Sequence, residues 1–185
     1  MKYTIKNKKL LVLAQTAVML ALLIGVQLAT SPLKNQFITG TLVNLVLLIS
    51  VFMIGLGGGL TVAAVSPVLA FFFGMGPQFI QIVPFIAVGN MIFVSIAGLV
   101  RKHVITKGVK ETLITSGGLV AASAAKVLFL WVGVVIIALP LIPGIPEKQI
   151  AMLSLMFSWP QIVTSLIGSA LAIAVAPLLK KAVDF

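Results

Sequence analysis

Six long apolar runs, joined by connections too short to fold on their own, constrain this chain more than any other feature. They fall at about 10–29, 41–56, 58–74, 82–100, 113–139 and 153–179. An α-helix needs about 20 apolar residues to cross a hydrocarbon core of ~30 Å. Lipid offers no partner to backbone N–H and C=O groups, so only helices and closed barrels span it. Barrel strands would alternate apolar and polar residues, and these runs do not alternate. With 61% hydrophobic and 9% charged residues, the chain also lacks the polar surface of a soluble domain. The expected fold is an all-α membrane protein, a bundle of six transmembrane helices forming a single integral membrane domain over 1–185.

The connections support that division. "GLGGG" at 55–59 leaves almost nothing between the second and third runs and predicts a tight helical hairpin. "GMGPQ" at 74–78 and "PLIPGIPEKQ" at 140–149 end the third and fifth runs with helix-breaking residues. The opening "MKYTIKNKK" followed by an apolar run has the outline of a signal peptide. The run is too long for one, however, and no clear small-x-small cleavage site comes after it, so 10–29 is expected to be the first span.

The net charge of +10 is a topology signal rather than a nucleic-acid footprint. With a cytoplasmic N-terminus, the inner segments hold Lys2, Lys6, Lys8, Lys9, Arg101, Lys102, Lys107, Lys110, Lys180 and Lys181, ten of the thirteen basic residues. Lys34 and Lys148 fall outside, and Lys126 falls in neither group. This bias predicts an N-in, C-in topology, with an anionic-lipid contact as a further use of the basic face.

Polar side chains in hydrocarbon are costly, so those that persist tend to face a cavity, the bundle interior or a partner. Asn44 falls just inside the outer end of the second helix, and Asn90 and Gln161 roughly 12 Å below the outer ends of the fourth and sixth. Lys126 lies about 20 Å below the outer end of the fifth, near mid-membrane. Gln27, Asn35, Gln36, Gln78 and Gln81 sit at or above the outer helix ends, and Ser158 and Trp159 lie in the sixth helix. The inner halves carry mostly Ser, Thr, Gly and Ala, apart from Gln15. This asymmetry predicts a pocket opening outward, with amides to read a small heterocycle. Phe37, Phe79, Phe85, Trp131 and Trp159 would be its flat walls, and Lys126 a cation at its floor.

Each of these residues has a plainer reading. Lys126 either meets an acidic group of a ligand or bonds a neighbouring helix and serves packing. The amides either recognise a ligand or act as interhelical glue worth about 0.6–2 kcal/mol each. Trp159 suits an interfacial belt as well as a pocket wall. His103 falls in the basic loop, and Phe71, Phe72 and Phe73 read as lipid-facing or core.

The three acids, Glu111, Glu147 and Asp184, fall at span ends or in loops, and there is no cysteine. No proton relay, Walker loop, nucleophile with base or metal-ligand cluster is therefore expected at depth. The sequence predicts no catalytic residue, no metal site and no cofactor. A binding protein without its own energy source points either to a partner that supplies the work or to a facilitator. Ala17 and Ala21 in "LAQTAVMLALLIG" form a small-xxx-small pair, continued by Ala14 and Gly25, that suits close helix approach. The same face could pack helix 1 inside the monomer.

Six helices, a basic N-terminus, the Ala-x-x-x-Ala pair in "AVMLA", the outer loop "SPLKNQFITG" and a basic loop before the fifth helix resemble the S component of an energy-coupling factor (ECF) vitamin transporter. "AAKVLFLW" is similar to the region where the riboflavin and pantothenate-type branch carries a lysine before apolar and aromatic residues. The resemblance implies a prokaryotic cell-membrane protein that binds a vitamin or related micronutrient beneath its outer loops. It would then join a membrane coupling subunit and two cytoplasmic ATPases. On this chain, Ala17 and Ala21 would meet the coupling subunit, and loop 31–40 would act as the gate. Lys126 would be the counter-ion for an acidic group on the ligand. Pantothenate, niacin, a deazapurine precursor of queuosine and other small anionic or amide-bearing heterocycles remain open as substrates, and a neutral ligand if Lys126 is structural. A solitary uptake facilitator and a structural membrane subunit are the alternatives, and an intramembrane enzyme is the least favoured.

Overall fold

The computed structural model describes residues 8–104, 106 and 108–183, with the backbone alone at 180–183. Lys2, Lys6, Lys107 and Asp184 lie outside the described residues, as do the side chains of Lys180 and Lys181. Among the described residues the chain is helical, without strands.

The first half is α1 (Lys8–Thr30), α2 (Gln36–Ile54), α3 (Leu56–Phe72) and α4 (Val83–Leu99). A short α5 (Arg101–Val104) precedes α6 (Val109–Leu130), which runs on through a π-helical stretch, Trp131–Ala138, into α7 (Leu139–Leu141). α8 (Glu147–Met156) and α9 (Trp159–Val183) complete the chain. Among the described residues, five segments are long and apolar enough to cross a membrane: Lys8–Leu33, Gln36–Ile54, Ile80–Leu99, Val109–Leu141 and Glu147–Leu179. The expected span at 58–74 is a shorter apolar helix of 17 residues, α3. The chain is an all-α membrane protein.

Two expected boundaries need correction. The second helix begins at Gln36 rather than near 41, because Lys34 takes a left-handed turn (φ 48°) and Asn35 caps the start of α2. Asn35 Oδ1 accepts from the backbone N–H of Phe37 at 2.9 Å and of Ile38 at 3.4 Å, satisfying donors that a helix start leaves free. Most of the expected 31–40 loop is therefore helix. The expected run at 153–179 is two helices, broken at Phe157 and Ser158, with Pro160 placed in the first turn of α9 where its missing N–H costs nothing.

α2 is the axial helix. Val46, Leu47, Leu48, Ile49, Ser50, Val51, Phe52 and Met53 are all buried, and the helix packs against α1, α3, α4 and most extensively α9. A helix buried all round needs no polar face, and in lipid its hold comes from close packing rather than from water exclusion. Gly168 makes the α9 crossing possible: a Cβ there would sit 2.8 Å from Asn44 Cβ and 2.9 Å from the Thr41 carbonyl.

The α2–α3 hairpin turns on one residue, Gly55, with φ 103°, a region an L side chain rarely adopts. Arg101 closes the same end. Its Nε donates to the Phe52 carbonyl at 2.8 Å and its Nη2 to the Met53 carbonyl at 3.2 Å, filling acceptors that the end of α2 leaves open. Lys8 and Lys9 line a groove with Gly57 and Gly58 at this end of the bundle. The described basic residues of the N-terminus and of the segment before α6 thus gather at the hairpin end, whereas Lys34 lines a cavity at the other.

Candidate functional site

At the end opposite the hairpin lies a cavity of about 620 Å³, within the range of small-molecule sites. Its walls come from α1, α2, α3, α4, α6, α8 and α9 and from the segment between α3 and α4. One polar chain crosses its floor. Lys126 Nζ donates to Asn44 Oδ1 at 2.6 Å, and Asn44 Nδ2 donates to Thr164 Oγ1 at 3.4 Å. Thr164 Oγ1 in turn donates to the Gln161 carbonyl at 3.1 Å. The ammonium also lies 5.1 Å from the Phe93 ring centroid, an attractive placement for a cation. An ammonium has three donors and only one is used among the described residues, so two remain for the cavity.

Asn90 and Ser66 also reach the cavity. They are 4% and 2% exposed, and neither hydrogen-bonds to another described residue. Buried polar groups normally find partners, so unspent ones aimed into a cavity are groups a ligand or water can satisfy. Gln27 adds a buried Oε1 without a partner among the described residues.

Nearer the mouth, the helix break organises the amides. Helix α8 ends at Met156, whose carbonyl accepts from Gln36 Nε2 at 2.6 Å and from Gln161 Nε2 at 3.1 Å. Only the NH₂ side of an amide can donate to a carbonyl, so both side chains keep their oxygens as acceptors. At the edge, Gln149 Nε2 donates to Gln78 Oε1 at 3.2 Å, joining α8 to the segment after α3. Met75, Met152, Met156, Phe79 and Phe157 supply the apolar lining.

Of the residues expected at a pocket, the cavity brings together Lys126, Asn44, Asn90, Gln161, Gln27, Gln36, Asn35, Gln78 and Phe79. Six others lie outside its lining. Trp159 is 57% exposed at the start of α9 and packs on Phe37, ring centroids 5.9 Å apart, also on the outer surface. Trp131 is exposed on the π-helical stretch, and Gln81 is exposed in the turn before α4. Ser158 spends its hydroxyl on the Leu155 carbonyl at 2.8 Å. Phe85, another expected wall, sits against Gly133 instead.

Sequence reasoning missed Ser66, Gln149 and the three methionines. By residue type Ser66 belongs with the hydroxyls that satisfy themselves on their own helix, as Thr16 does on the Val12 carbonyl and Ser50 on the Leu47 carbonyl. Its signal is position: it lies about two turns from the cavity end of α3. Three other buried hydroxyls, of Thr115, Ser123 and Ser169, have no partner among the described residues either, contrary to that expectation.

Ala14, Ala17, Ala21 and Gly25 all face outward from α1. A Cβ added at Gly25 would meet nothing within 4 Å. The small-residue face therefore does not pack inside the monomer; the other side of α1, with Thr16 and Leu23, does. No family model matches the chain, and neither a curated protein nor a solved structure does.

Proposed function

We propose that this chain is the substrate-binding subunit of an ECF-type importer in a prokaryotic cell membrane, taking up a vitamin or related small heterocyclic micronutrient. In this reading six helices cross the bilayer with both termini cytoplasmic. The cavity opens outward, and ATP hydrolysis belongs to partner subunits. The observation that carries it is the cavity itself: a vitamin-sized space with Lys126, Asn90 and Ser66 at the bottom and amides at the mouth. Buried polar groups left unspent in a membrane protein mark a functional site by default. The unpartnered small-residue face of α1 supports a coupling subunit as neighbour, since such faces let another helix approach closely.

The test is capture of the tagged chain from its own membrane in mild detergent, with mass spectrometry of proteins and small molecules. One heterocycle per chain, with a membrane coupling subunit and two ATPases, is the expected result. A ligand without ATPases would make the chain a solitary facilitator. An empty protein that shows no thermal shift with vitamins or nucleobases would leave a structural subunit.

A further inference from the structure

Building on the substrate-binding reading, we propose that the ligand is a monocarboxylate. Its acid group descends to Lys126, Asn90 and Ser66, and its N–H or O–H donors lie at the mouth against Gln36 and Gln161.

The charge at the floor sets the ligand's charge. Lys126 offers two unused donors, and a carboxylate is an acceptor-only group with a single charge that matches it. The Asn90 amide and the Ser66 hydroxyl, both buried and unspent, can donate to the remaining lone pairs. A phosphate monoester carries about −1.5 to −2 at neutral pH. The floor holds only one cation among the described residues; Lys34, the other in the lining, is exposed near the mouth. A phosphate would thus leave a buried charge uncompensated, which proteins tolerate poorly. The floor also lacks the planar fork of an arginine, the side chain best matched to bidentate phosphate recognition.

The mouth sets the other end. Gln36 and Gln161 each spend one N–H on the Met156 carbonyl, which anchors the NH₂ side and leaves the amide oxygen as an acceptor for whatever enters. Acceptors call for donors, and a hydroxyl or amide N–H on the ligand body meets that need. Between the two ends, Met75, Met152 and Met156 form a soft, adaptable wall that tolerates variation in the middle of the molecule.

The experiment measures thermal shift and binding on the full chain in nanodiscs with matched probes: nicotinate against nicotinamide, pantothenate against pantothenol, biotin against biotin amide, and 4′-phosphopantothenate. The small molecule retained from rich-medium cells is identified in parallel. The expected result is a retained or best-binding compound with one carboxylate and no phosphate, preferred over its neutral counterpart by roughly tenfold or more. Lys126→Met should remove that preference, and Ser66→Ala should weaken the acid several-fold. The wild-type comparison and Ser66→Ala keep the test decisive even if Lys126→Met fails to fold. A neutral or phosphorylated ligand at one per chain, or a Lys126→Met protein that keeps its preference for the acid, overturns the carboxylate assignment while leaving the binding function standing. A chain that retains nothing and responds to no probe overturns the binding function, and this assignment with it.

Discussion

Lys126 Nζ and Asn44 Oδ1 are 2.6 Å apart, one buried on α6 and the other on the axial helix α2, 82 residues away in sequence. The pair ties the helix that carries the cation to the helix that organises the bundle. A hydrogen bond to a charged group contributes about 1.5–3 kcal/mol, and stranding its buried partner costs more than the bond is worth.

Asn44→Leu should therefore destabilise the protein by about 2–4 kcal/mol, because Lys126 then keeps its burial without its acceptor. Adding Lys126→Met should restore part of the loss. Unfolding in mixed micelles of the two single variants and the double variant reads the coupling directly. Additive losses would mean the two residues act separately.

Arg101→Ala removes two hydrogen bonds from the end of α2 and should cost about 1–3 kcal/mol in the same assay. Arg101→Lys should recover only part of it, since an ammonium cannot reproduce the fork that serves the Phe52 and Met53 carbonyls. Full recovery by lysine would show that charge alone matters there.

Gly168→Val should lower the folded yield and stability by about 1–3 kcal/mol or more, through overpacking at the α2–α9 crossing. The same change at Gly25, which faces open space, should leave stability within about 0.5 kcal/mol. Size-exclusion profiles and thermal unfolding compare them. Equal behaviour of the two variants would contradict the packing described for Gly168.

Gln149→Ala removes the hydrogen bond that joins α8 to the segment after α3. An exposed neutral bond contributes about 0.5–1 kcal/mol, so ligand release should quicken about two- to fivefold. Dissociation kinetics of a retained ligand measure it, and an unchanged rate would exclude the Gln78 contact from the exit step.

Ala17→Trp combined with Ala21→Trp should leave folding and ligand binding intact, since both positions face outward, and should abolish association with a coupling subunit. Co-purification and uptake in cells decide it. Undiminished uptake would favour the solitary facilitator.

Much of the bundle is legible in the sequence because apolar length alone predicts a spanning helix. The boundaries are less so. The start of α2 depends on a single cap at Asn35, and the α8–α9 break falls within a run whose hydropathy hardly changes. Depth locates Asn44, Asn90, Gln161 and Lys126, because a polar group in hydrocarbon has few reasons to be there. Rotation is not legible, since nearly every neighbour of those residues is apolar and no face stands out. Trp159 shows the result: an aromatic ring near a helix end suits a pocket wall and a lipid interface equally, and the structure turns it outward, as it does Trp131. Arg101 reads in the sequence only as a charge, because its capping depends on carbonyls 48 and 49 residues earlier in the chain.

The two ends of the bundle are held by different means. At the hairpin end, Gly55 turns α2 directly into α3, Arg101 is fastened to two carbonyls, and Val51, Phe52 and Val94 are fully enclosed. At the cavity end, α8 is held by the amide contacts of Gln36, Gln161 and Gln149 and by a second, smaller apolar cluster that includes Leu153 and Phe157, and the Asn90 side chain waits without a partner among the described residues. Amide exchange should track this gradient, with deep protection in the hairpin half of α2 and frequent local opening of α8 and the segment after α3. A ligand entering from that end would need to melt only the weaker half, and its binding would anneal it.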